Sequence, residues 1–179
     1  MLLLALFVLA GCGQLHPKVE ELSFSEGDNK PKPPLFPIST TDFSEKLLEK
    51  GLISSIEDKE NAWIHYVGMD ERIRLEAFHV DENNSDIMLV NILIREARPL
   101  QNTELMNKVY PLITEVLSLL GKKVSTKEDI NELISIRTLD ELSYGKVKRL
   151  SPPMLVTTFL MMDQNEQYFI HLRTEALYD

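Results

Sequence analysis

DIMLVNILIREARPLQNTELMNKVYPLITEVLSLL, residues 86–120, carries two hydrophobic periods one after the other. Ile87–Ile94 is apolar on both faces except at Asn91. That pattern predicts a strand in the middle of a sheet, covered on both sides. From Thr103 to Leu120 the period lengthens: Leu105, Val109, Leu112, Ile113, Val116 and Leu120 share one wide stripe of a helix. Gly121 supplies the stop. Pro111 lies inside and removes one backbone donor, so a kink is expected there. A central strand followed by a long one-sided helix describes a sheet with a helical layer on it.

Outward from that core the alternation continues. Upstream, Asp42–Lys50 has apolar residues at helical spacing, with Thr41 or Asp42 as cap and Gly51 as terminator. Strand patterns follow at Leu52–Glu57, Ala62–Gly68, Arg72–Asp81 and Asp86–Ala97. Ile73, Leu75 and Ala77 alternate with Arg72, Arg74 and Glu76, as a half-exposed strand does. Downstream, Ser125 and Glu128 form a capping box for a helix whose inner face is Ile130, Leu133 and Ile134. Residues 138–150 show no clear period. Met154–Met162 and Gln167–Thr174 read as strands joined by the turn Asp163-Gln164-Asn165-Glu166. The expected fold class is α+β: an antiparallel sheet of about five to six strands with helices packed mainly on one face. Residues 41–179 form this single domain, and with one cysteine in the chain no internal disulfide supports it.

The N-terminus has a different texture. Residues 1–10, MLLLALFVLA, contain no polar side chain. As a helix they span about 15 Å, half of a hydrocarbon core of about 30 Å, which suits the apolar part of a secretory signal. Leu9-Ala10-Gly11-Cys12 follows, and here the chain resembles the bacterial lipoprotein signal, in which small residues precede a cysteine that receives lipid. No Lys or Arg precedes the apolar run, the one departure from that pattern. The resemblance implies that Leu9, Ala10 and Gly11 are read by the signal peptidase, that residues 1–11 are removed, and that the Cys12 thiol accepts diacylglycerol. It also implies a membrane anchor on the extracytoplasmic face. Gly13, where inner-membrane retention would use Asp, permits the outer membrane in a two-membrane cell.

Residues 12–40 then read as the lipidated cysteine and a Pro-rich tether. Pro17, Pro31, Pro33, Pro34 and Pro37 are five of the nine prolines in the chain, favouring extended polyproline II. Leu35, Phe36 and Ile38 are apolar enough to pack onto the domain as a leading strand.

The net charge of −9 argues against nucleic acid as a partner. Glycine loops for phosphate, HExxH and GxSxG are absent, and seven glycines leave little for a nucleotide cradle. His65, His79 and His171 all fall in strands, but a 69–71 hairpin would set His79 about 13 Å along from His65, too far for one metal. The loop 81–86 is rich in oxygen atoms but lacks the glycine and the closing Glu of a calcium loop. Lys122, Lys123, Lys127, Lys146, Lys148 and Arg149 read as a solvated surface, and Met154, Met161 and Met162 as packing residues. No cofactor and no metal are expected. The chain thus reads as a membrane-anchored lipoprotein whose domain is a non-catalytic binding module for another envelope protein or a wall component. The alternative is an envelope enzyme, such as a glycan hydrolase with a carboxylate pair in a deep cleft.

Overall fold

The computed structural model describes residues 32–59, 63–68, 70–81, 84–123, 126–150 and 154–178. The expected signal peptide, Cys12 and the tether up to residue 31 lie outside the described residues. Helix α1 (Thr40–Glu49) leads into strands β1 (Ile53–Lys59), β2 (Trp63–Gly68), β3 (Ile73–Asp81) and β4 (Asn84–Ile94). A short 3-10 turn, Pro99–Gln101, precedes α2 (Thr103–Leu119), α3 (Lys127–Ile134) and α4 (Leu139–Tyr144). Strands β5 (Lys146–Leu150), β6 (Met154–Met162) and β7 (Tyr168–Ala176) complete the fold.

The seven strands of the described residues join one antiparallel sheet in the order β1-β2-β3-β4-β7-β6-β5. The expected α+β class holds. The strand beyond the expected six is β5, inside the unassigned 138–150 segment. Its inward positions, opposite Thr158 and Val156, are Lys146 and Lys148, so no apolar alternation betrays it. Lys146 Nζ donates to the Glu132 and Ser135 carbonyls, and Lys148 pairs with the Glu132 carboxylate at 2.9 Å. Both stems cover the sheet while their charges reach α3.

The apolar strand of the 86–94 run, β4, is the middle strand of the seven, as its composition predicts. Its two faces differ. Cross-strand rows on one face are Ile73–Ile94–Ile170–Leu160, Leu75–Ile92–Leu172–Thr158 and Ala77–Val90–Thr174–Val156. These join Phe43, Leu47, Leu105, Ile113 and Ile130 from the helices in one buried cluster. The opposite rows, Arg74–Leu93–His171–Phe159 and Glu76–Asn91–Arg173–Thr157, contribute nothing to it. Coverage on both sides is therefore corrected: among the described residues the helical layer lies on one face. A register shift between Phe78 and His79 brings Ile87 into the core; with Leu89 and Leu93 apolar on the other face, the 87–94 run looks apolar on both.

Caps sit close to the expected places but not on them. Ser39, not Thr41 or Asp42, caps α1, accepting the Asp42 N–H at 3.1 Å. Just before it, Phe36 N–H donates to Ile87 O (2.8 Å) and Ile87 N–H to Ile38 O (3.1 Å), with Phe36 and Ile38 buried. The packed part thus begins before residue 41: Phe36 and Ile38 pack on the domain as expected, but through a bend and one isolated bridge, Ser39 to Asp86, rather than as a leading strand. The box of α3 is Thr126 with Asp129, one residue on from Ser125 and Glu128. Asn102 caps α2, which runs unbroken through Pro111 and ends at Gly121 with φ +97°.

Two polar ties fix the layers. Thr158 Oγ1, buried on β6, donates to Leu133 O of α3 at 2.6 Å. Asp70, with its side chain 6% exposed, takes two bonds from the Arg72 guanidinium (2.9 and 2.8 Å) and one from Lys108 of α2 (2.8 Å). Those donors, Arg72 first, hold its carboxyl well below the usual carboxylate range.

Candidate functional site

After β4 the chain turns through Ala97–Gln101, and after α3 it crosses through Ser135–Thr138 into α4. Between these two connections lies a cleft of about 470 Å³. Leu160, at the end of a covered-face row, is part of its wall, together with Ala97, Pro99, Ile134, Ile136 and Leu142. Among the described residues, the only charged side chains lining it are Arg98 and Arg137. Neither has a carboxylate partner among the described residues.

Two acids close in sequence bind backbone donors. Glu96 accepts the backbone N–H of Arg98 (3.2 Å). Glu141 accepts the N–H groups of Arg137 (2.6 Å) and Thr138 (3.3 Å), closing the capping box of α4. The Arg137 N–H is the main reason that the Glu141 carboxyl stays below its ordinary value. These bonds go to backbone donors, and neither carboxylate forms an ion pair with these guanidinium groups.

Helix α4 is the unusual wall. None of its six residues is buried, although Leu139 is 81%, Tyr144 80% and Leu142 48% exposed. A helix with its apolar side chains in solvent presents a surface that water does not favour. Its stop is tightly specified: Gly145 has φ +80°, and a Cβ there would come within 2.6 Å of the Phe159 ring.

The sheet face without helices is the second notable surface. Its charges are paired along the strands, Arg74 with Glu76 (2.6 Å) and Arg173 with Glu175. Between them Asn91 is 8% exposed, with its Oδ1 unbonded, and His171 Nε2 is also buried and unbonded among the described residues. Burial, chiefly, pushes the His171 imidazole below its ordinary value; Glu76 opposes this and Arg173 adds to it. Phe159 lies across from it at 6.0 Å between ring centroids.

The residues singled out in the sequence do not converge. Leu9, Ala10, Gly11 and Cys12 lie outside the described residues. The register sets Glu76 opposite His65, while His79 pairs with Ile87 and His171 with Leu93 and Phe159. Among the described residues no group of three His, Cys, Asp or Glu could hold a metal ion, and no helix is long and apolar enough to cross a membrane. In the 81–86 loop, residues 82 and 83 are outside the described set. Met154 is buried at one end of β6, and Met161 and Met162 are exposed at the other. Lys127 stacks over Tyr110 (5.1 Å), whose hydroxyl donates to Asn131 at 2.7 Å. These two line a second cleft, where Lys50 pairs with Glu115 at 2.5 Å.

Arg98 and Arg137 carried no signal in the sequence, because 38 positions separate them. No protein-family model matches the chain, and neither a curated protein nor a solved structure matches it.

Proposed function

We propose that this chain is a lipid-anchored binding module of the bacterial cell envelope, held at the extracytoplasmic face of a membrane through Cys12. One observation carries the reading: the only cysteine of the chain follows the apolar run of residues 1–10, with the small pair Ala10-Gly11 directly before it. Two or three acyl chains would hold it firmly, since each buried methylene contributes about 0.8 kcal/mol. The folded domain, on its tether, captures a partner beside the membrane, and its apolar cleft, with two arginines that ion-pair with no described carboxylate, is the surface best suited to this. The glycan hydrolase reading asks for two acids in one cleft. Three clefts of the described surface hold Glu115, Glu96 and no acid, respectively, which gives it no support.

The test is the mass of the membrane-extracted protein after growth with a labelled fatty acid. The expected result is loss of residues 1–11 and a diacylglyceryl group on Cys12, with Cys12→Ala unlabelled. An unmodified chain in the cytosol, its first eleven residues intact, would overturn the reading.

A further inference from the structure

We infer that the cleft between the 97–101 turn and α4 binds an anionic amphiphile, a long-chain carboxylate, with its alkyl chain against Ile134, Leu142 and Leu160 and its head group on Arg98 and Arg137. The assignment deepens the binding-module reading and rests on it, but not on the acylation of Cys12.

Three independent features converge on that chemistry. The cleft volume of about 470 Å³ falls within the roughly 300–1,000 Å³ usual for small-ligand sites. Its walls are mainly aliphatic, and its charged lining is of one sign, in a chain whose net charge is −9. An arginine left unpaired in so acidic a protein is a ready anion partner, because its planar fork matches a carboxylate through two parallel hydrogen bonds. Among the described residues no carboxylate lies within ion-pair distance of either guanidinium: Glu96 and Glu141, close by in sequence, accept backbone N–H groups instead. Arg137 acts on Glu132 and Glu141 electrostatically, but ion-pairs with neither.

Helix α4 supplies the third feature. Leu139 and Leu142 line the cleft and remain in solvent; an alkyl chain would cover them. A polar ligand such as a sugar or a nucleotide would leave that aliphatic surface uncompensated, and a cation would meet two like charges. An apolar tail with an anionic head satisfies both parts of the site together.

The experiment is calorimetric titration of the full chain carrying Cys12→Ser with straight-chain carboxylates of eight to fourteen carbons, below their micellar concentrations. Affinity should rise about fourfold per methylene until the cleft is filled. The alcohol of equal length should bind about tenfold or more weakly, because the charge-assisted bonds are lost. The double variant Arg98→Gln/Arg137→Gln, at two exposed positions, should lose this preference for the carboxylate. Leu142→Glu, which sets a charge in the cleft without touching the core, should abolish binding. The apolar N-terminal run is common to all these proteins, so differences among them report the cleft. Equal affinity for carboxylate and alcohol, or an unchanged preference in the arginine variant, would overturn the assignment. So would binding only to anionic phospholipid vesicles, or self-association that Leu142→Glu abolishes. A failed titration alongside an acylated Cys12 removes the ligand and leaves the anchor standing.

Discussion

The two faces of the sheet use the same strands and reach burial by different means. On the covered face, Ile92, Leu75 and Leu172 sit side by side beneath the helices and are sealed by them. On the bare face, Glu76, Asn91 and Thr157 are nearly as buried, though among the described residues no helix lies over them. There the cross-strand neighbours are long side chains, Arg173 beside Asn91 and Thr157, and Arg74 paired with Glu76, and their stems limit access to the sheet. Burial by a second layer and burial by one's own neighbours look alike in accessibility. They differ in what they contribute to stability.

The contrast is sharpest for two leucines one row apart in kind. Leu172→Ala, under the helices, should cost about 3 kcal/mol, whereas Leu93→Ala, half-buried on the bare face, should cost about 1 kcal/mol. Urea unfolding of both variants checks this, and equal losses would mean that something else seals the bare face. Next in size comes Asp70, the acid tying the β3 entry to α2. Asp70→Asn should cost about 2 kcal/mol, because two charged donors lose their shared acceptor. The same substitution has a pH signature. The folded carboxyl stays ionised below the value of 3.8 at which the unfolded one takes its proton, so its stabilisation is complete above that pH. It is lost as the pH falls further toward the folded value, and the Asn variant should lack this part of the acid limb.

A smaller effect is expected on the covered face at Thr158. Thr158→Val keeps the shape but leaves the Leu133 carbonyl without its donor, which should cost about 1 kcal/mol by the same urea measurement. The bare face provides the gentlest test. His171 is disfavoured as a cation, so the unfolded chain binds its proton first as the pH drops below 6.5. Stability should therefore decline below that pH and level off beneath the folded value. His171→Phe should remove this slope, as followed by thermal unfolding between pH 7.5 and 5.

What the sequence revealed follows the same division. Strands whose inward residues are aliphatic, such as Ile73, Leu75 and Ala77, announce themselves by period alone, and so does the stripe of α2. β5 hid because lysine stems fill its inward positions. The bare face of β4 read as a second buried side because Leu89 and Leu93 are apolar, and a hydrophobic pattern does not say what covers it. Caps were displaced by a residue or more, since Thr126 with Asp129 satisfies the same hydrogen bonds as the neighbouring pair would. The cleft had no local pattern at all. Its walls come from residues 97–101, 134–142 and 160, and only the pairing of β4 and β6 on either side of β7 brings them together.

The entry of the chain has a mechanical consequence. Residues 36–38 are stitched to Ile87, on the strand with three neighbours on either hand. A tug from upstream of residue 32 is therefore met first by two backbone hydrogen bonds to the middle strand and by the buried Phe36 side chain, ahead of α1. Load from the N-terminus is spread through the centre of the domain, leaving the cleft and its short helix α4 largely out of the line of force.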